Sequence, residues 1–194
     1  ILFGEGTCGY EDQAPVILQG HMDMVPQKSA AKQRDFLTDP IGTRIEGDWV
    51  KACDTTLGAD NGLGVAMGMA VAESKDFPHG PVEVLITSDE ETGMSGAKAL
   101  KPGVLKGDIL INLDSEDEKE LCIGCAGGLD CLADFKYKTY RTPKNHMGYK
   151  IAVKGLSGGH SGMDIALYRA NANKVIVNAL IPVMQKYGVK LINI

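Results

Sequence analysis

Residues 82–93 read VEVLITSDEETG. Val82 to Thr87 alternate and then run apolar, as a strand buried in a sheet does. The run breaks into three consecutive acids, Asp89, Glu90 and Glu91, and no basic residue follows until Lys98. Adjacent carboxylates repel, so something at the end of this strand must make the cluster tolerable.

Two further segments repeat the pattern. APVILQGHMDMV (14–25) is an apolar run that leads into His21 and Asp23, and GDILINLDSED (107–117) is a strand that ends in Asp114, with Glu116, Asp117 and Glu118 beyond it. Between them TTLGADNGLG (55–64) is a glycine-rich loop carrying Asp60, followed by the small-residue segment VAMGMAVAES (65–74). That segment reads as a helix; Gly64 and Gly68 weaken its intrinsic propensity, so close packing must compensate. IGTRIEGDWVKA (41–52) predicts a hairpin turning at Glu46–Asp48, and SGAKAL (95–100) a short helix. Strand and helix alternate to about residue 126, which predicts an α/β layer with a largely parallel or mixed sheet.

The texture then changes. LADFKYKTY (132–140) and YKIAVKGL (149–156) alternate like half-solvated strands. IALYRANANKVIVNALIPVMQKY (165–187) has helical periodicity, with Pro182 expected to kink or divide it, and GVKLINI (188–194) begins another strand. These residues predict a separate α+β unit, with the boundary between residues 1–127 and 128–194.

Composition sets the outer bounds. At 44% hydrophobic the chain can bury a core. A net charge of −5, with no basic block, argues against a nucleic-acid partner. No stretch is apolar enough to span a membrane as a helix, so no membrane partner is expected. The opening ILFGEGTCGY is not a secretory leader, and five scattered cysteines do not read as a disulfide framework, which together predict a cytoplasmic protein. The chain starts at Ile1 and ends on LINI, and both ends read as cut through structure, so a fragment of a longer protein is expected.

Each motif alone has an ordinary reading. A histidine after a strand is usually structural, GADNG is usually a turn, and an acid triplet usually starts a solvated helix. Together they change meaning. Ligands of an open α/β sheet bind at the carboxyl ends of its strands, and separate strands delivering His, Asp and Glu to one edge build an anionic pocket. The basic residues lie elsewhere, so metal ions are the natural neutralising charge. Imidazole with carboxylates suits zinc, manganese or cobalt, and no cysteine lies in these motifs. Cys122 and Cys125 form a C-x-x-C pair without a second pair, and read as ordinary thiols. GADNGLG lacks the spacing of a phosphate loop.

GHMDMVPQ (20–27), TTLGADNGLG (55–64), DEETGMSGA (89–97), LDSEDE (113–118), CAGG (125–128) and GLSGGHSGMDI (155–165) resemble the zinc-dependent exopeptidase family, which also contains succinyl-diaminopimelate desuccinylase and several dipeptidases. The resemblance covers essentially the whole chain. It implies a partial catalytic domain over 1–127 and part of a lid and dimerisation domain over 128–194. It implies a metallopeptidase that hydrolyses Xaa-His dipeptides with two divalent ions, zinc first, manganese or cobalt as alternatives. Its implied site has His21 and Asp114 on one metal, Glu91 on the other and Asp60 bridging. Glu90 would be the general base, Asp23 would accept a hydrogen bond from His21, and His160 would bind substrate and stabilise the oxyanion, often in a neighbouring subunit. A cis peptide is implied at Asp60–Asn61, and a homodimer through the lid. The family's second histidine ligand has no match among these residues, so the isolated 194-residue chain is expected to be inactive. Two alternatives stand beside this reading: another amidohydrolase of the family (tripeptidase, aminoacylase or desuccinylase), or a truncated non-catalytic module.

Overall fold

The computed structural model describes residues 1–115, 119–125, 127–160, 162 and 164–193. Glu116, Asp117 and Glu118 lie outside the described residues, as do Ala126 of CAGG and Ser161 and Met163 of the GGHSGMD motif. The chain divides into two compact units, Ile1–Gly128 and Leu129–Ile194.

The first unit is built on a four-stranded mixed sheet. Its strands are β1 (Leu2–Gly4), β2 (Val16–His21), β5 (Val82–Thr87) and β6 (Ile109–Asn112), in the order β1-β5-β2-β6. β2 runs parallel to both β5 and β6, and β1 pairs antiparallel with β5. A separate hairpin joins β3 (Thr43–Glu46) to β4 (Trp49–Ala52) through Gly47 and Asp48, where the sequence predicts a turn.

Helix α1 (Ala59–Glu73) covers one face of the sheet. Leu18, Val82 and Val84 are buried there, with Val16, Val71, Ala72, Ile86 and Leu113 packed around them. The approach is close because α1 turns glycines toward the strands: a Cβ on Gly68 would lie 2.8 Å from Val84 Cγ1. The small residues that weaken α1 as an isolated helix therefore let it seat on the sheet. The opposite face buries Ile17 and Leu85, and also Glu83. The Glu83 carboxylate accepts from the N–H groups of Lys106 (2.8 Å) and Gly107 (2.9 Å), so it tethers the segment that leads into β6 and is not an unpaired buried charge. The short helix α2 (Ser95–Lys98) follows the acid triplet.

Register sets the site. His21 lies opposite Thr87 of β5, and Gln19 lies opposite Asn112 of β6. Two residues past Asn112, Asp114 therefore stands level with His21. The three parallel strands release their chains into loops abreast of one another.

In the second unit the regular structure is a 3-10 turn at Ile165–Leu167 and helix α3 (Ala172–Tyr187). Asn171 caps α3 by accepting from the Lys174 N–H at 3.1 Å, and Gly188, at φ 63°, closes it through its N–H to Met184 O. Two local expectations are corrected here. The helical segment is not divided at Pro182, which α3 contains; it breaks upstream, between the left-handed Tyr168 and the Asn171 cap. The segments 132–140, 149–156 and 188–193 are not strands. Alternation prepares a chain to be one face of a sheet, but a strand exists only as part of a hydrogen-bonded ladder. These segments have none among the described residues, and Phe135 and Tyr137 are exposed.

Candidate metal centre

His21 ends β2 and is 1% exposed. Its Nδ1 lies 2.9 Å from the main-chain carbonyl of Asp23. A carbonyl only accepts, so Nδ1 carries a proton and donates, and in the neutral ring the lone pair sits on Nε2. Nε2 faces a ring of carboxylates: Asp60 Oδ1 at 3.2 Å, Asp114 Oδ1 at 3.7 Å and Glu90 Oε2 at 3.9 Å. His21, Asp60 and Glu91 each offer a ligand atom within 4.8 Å of the others. The sequence thus names six residues that the first unit gathers at one edge of the sheet: His21, Asp23, Asp60, Glu90, Glu91 and Asp114.

Each carboxylate arrives by its own route. Asp114 follows β6. Asp60 sits where α1 begins, with non-helical backbone angles at Asp60 and Asn61, and the peptide between them is cis. Glu90 and Glu91 come from the turn after β5, and Asp23 holds that turn: its Oδ1 accepts from the Glu90 N–H and its Oδ2 from the Glu91 N–H, both at 3.2 Å. Asp23 also faces His21, through both its carboxylate and its main chain. The carboxylate is 3.5 Å from Nδ1 and committed to the turn, while the hydrogen bond to His21 is made by the Asp23 carbonyl. Asp89 faces away. It has a positive φ of 62°, and its side chain accepts from the Thr92 hydroxyl and the Ser95 N–H.

The charge distribution asks for a cation. Burial, reinforced by Asp60 and Glu90, pushes the Asp114 carboxyl up to about 6 against the pull of His21. Burial and Asp60 push Glu91 up as well. For His21, burial works against the charged form, but Asp114, the Asp23 carbonyl and Glu90 outweigh it and raise the ring. Burial of Asp23 is likewise outweighed by the N–H groups of Glu90 and Glu91, which hold that carboxyl low. Arg44 and Lys51 pair with Glu46 in the hairpin, and Arg169 pairs with Asp164 in the second unit. A set of one imidazole and several carboxylates fits a borderline divalent metal.

The other histidines and cysteines singled out in the sequence have local surroundings of their own. His160 lies in the second unit, where its N–H donates to Asp164 Oδ2 at 2.9 Å and its Nδ1 accepts from the Gly162 N–H at 3.1 Å. His79 points its ring nitrogens at the carbonyls of Gly80 and Ser74, a structural use. Cys122 and Cys125 are exposed free thiols. The residue that sequence reasoning missed is Asn61. It is 5% exposed, accepts from the His21 N–H at 3.1 Å and donates to the Leu113 carbonyl at 2.8 Å. In sequence it looks like a turn residue in a glycine-rich loop, and its one local signal is the pair of glycines, Gly62 and Gly64, after it.

Residues 17–190 match peptidase family M20/M25/M40. The chain is 46% identical over 187 residues to the cytosol non-specific dipeptidase of Escherichia coli (strain K12), covering 96% of this chain and 39% of that protein. It resembles the crystal structure of aminoacylhistidine dipeptidase from Vibrio alginolyticus with a TM-score of 0.63 and 46% identity, over 98% of this chain and 39% of that one. The chain thus spans about two fifths of the length of these relatives.

Proposed function

This chain belongs to peptidase family M20/M25/M40, and from that premise we propose that the protein carrying it is a cytoplasmic metal-dependent dipeptidase acting on Xaa-His dipeptides. The observation that carries the proposal is the convergence of His21, Asp60 and Glu91 on one point at the sheet edge, with Asp114 beside them. The names of the relatives supply the substrate class.

In this reading His21 and Asp114 would hold one divalent ion, Glu91 a second, and Asp60 would be a ligand to both, with zinc the preferred metal. A metal held there would supply Lewis acidity toward a carbonyl or a water. The chain's own residues do the rest. The Asp23 carbonyl fixes the His21 tautomer so that Nε2 points inward. The Asp23 carboxylate fixes the turn that presents Glu90 and Glu91. Glu90 takes the proton from the attacking water and returns it to the leaving amine. Residues 1–127 act as part of the catalytic domain and 128–194 as part of a lid that binds substrate through His160 and forms a homodimer.

The test is hydrolysis by the complete protein, stripped of metal and then reloaded with zinc. Xaa-His dipeptides should be cleaved in preference to tripeptides and N-acyl amino acids, and only after reloading. Preferential cleavage of N-acyl amino acids would move the assignment to an aminoacylase or desuccinylase. Less than one bound metal per complete chain would favour a non-catalytic module.

A further inference from the structure

The hydrogen bonds around Asn61 have the form of an interrupted sheet ladder. In a parallel pair, a residue whose N–H bonds one strand's residue i also offers its carbonyl to the N–H of residue i+2. The Leu113 N–H donates to Gln19 O at 2.8 Å, so the next rung should be His21 N–H to Leu113 O. That rung is not direct. The His21 N–H donates to Asn61 Oδ1 and Asn61 Nδ2 donates to Leu113 O, so the side-chain amide stands in as a spliced peptide group. A primary amide suits this place because it offers an acceptor and a donor together, whereas a carboxylate cannot donate.

The surroundings are shaped for it. A Cβ on Gly20 would strike Asn61 Oδ1, and a Cβ on Gly64 would come within 2.6 Å of both amide heteroatoms and of Leu113 O. The splice lies where β2 and the β6 chain must part, between His21 and Leu113, the neighbour of Asp114. Asn61 is also the neighbour of Asp60. We infer that Asn61 is a positioning residue that wedges the ends of β2 and β6 apart and so sets the spacing of His21, Asp60 and Asp114 for a divalent cation. The inference rests on the metal-centre reading above.

The experiment uses the complete protein, stripped of metal and titrated with Co2+, with visible absorption reporting ligand geometry and far-UV circular dichroism reporting the fold. Asn61→Ala removes the splice. It should raise the Co2+ concentration for half-saturation by about 10- to 100-fold, the usual effect of losing a residue that orients metal ligands, and should change the cobalt band. Should Asn61→Ala not fold, Gly64→Ala applies the same test by crowding the amide while leaving every polar group present. Wild-type cobalt affinity and spectrum in a folded variant, even with a lowered metal-free melting temperature, would overturn the inference and leave the metal site standing. No cobalt band in the wild type would overturn the metal-centre reading and this inference with it.

Discussion

The N–H groups of Glu90 and Glu91 both donate to the Asp23 carboxylate, while the side chain of Asp89 is spent on Thr92 and Ser95. Three neighbouring acids therefore have separate surroundings, although Glu90, behind burial and Asp60, still helps to push the Glu91 carboxyl up. Asp89 leaves the cluster, its carboxyl held low by Ser95 and Thr92. Glu91 joins the ligand group with His21 and Asp60, and Glu90 stands beside it with its Oε2 3.9 Å from His21 Nε2. That division predicts the outcome of Glu90→Gln in the complete protein. Turnover should fall by about 10²- to 10⁴-fold, as expected when a general base is removed, with metal content unchanged. Near-normal turnover would assign the base elsewhere. The acids were legible in sequence as a group. Their separate orientations were not, because each depends on a partner 67 or 68 residues away or on the turn's own backbone.

At the scale of elements, the local pattern predicted those that pack against one another in the first unit. β2, β5 and β6 read as apolar runs ending in His or acid, and the hairpin read as alternation about a turn. β1 did not, because its three residues carry too short a signal and acquire strand form only by pairing with β5. Helix α1 shows how packing overrides propensity. Gly68→Ala should favour an isolated helix by about 1 kcal/mol, yet in the fold its methyl meets Val84 Cγ1 at 2.8 Å. Overpacking of this kind costs about 1–3 kcal/mol, so denaturant titration should show a net loss of stability. A gain would mean that α1 can lift from the sheet without penalty. In the second unit the alternating segments have no ladder among the described residues, whereas α3 forms because a helix satisfies its own backbone and has Asn171 and Gly188 at its ends.

For the whole molecule, the acidic edge couples metal, pH and stability. Asp114 titrates at about 6 in the fold against an ordinary 3.8, and Glu91 and His21 are raised too. A raised group keeps its proton in the folded state after the unfolded chain has released it. Its stabilising contribution is therefore full below the unfolded value and is lost as pH rises through the folded one. For Asp114 that window runs from 3.8 to about 6, and for His21 it begins at 6.5. Asp23 has the opposite sign, contributing above 3.8 and losing that contribution as pH falls. The metal-free site should thus weaken the fold as pH rises from 5 to 8, while the same deprotonation prepares the ligands. The gain in melting temperature on adding zinc to the complete protein should grow over this interval. A gain independent of pH would mean that these groups do not hold the ion.

The sequence by itself determined the residue types of the candidate site, the strand ends that deliver them, and the family. Each rests on local composition: apolar runs end where His21, Glu90 and Asp114 begin, and the motifs are contiguous. Only the tertiary structure decided which atoms meet. Strand register brought Asp114 level with His21, the Asp23 carboxylate turned to the acid loop while its carbonyl took the imidazole, and Asn61 entered the sheet as a rung. Those choices depend on which main-chain groups remain unpaired where strands diverge, and that is a property of the assembled sheet.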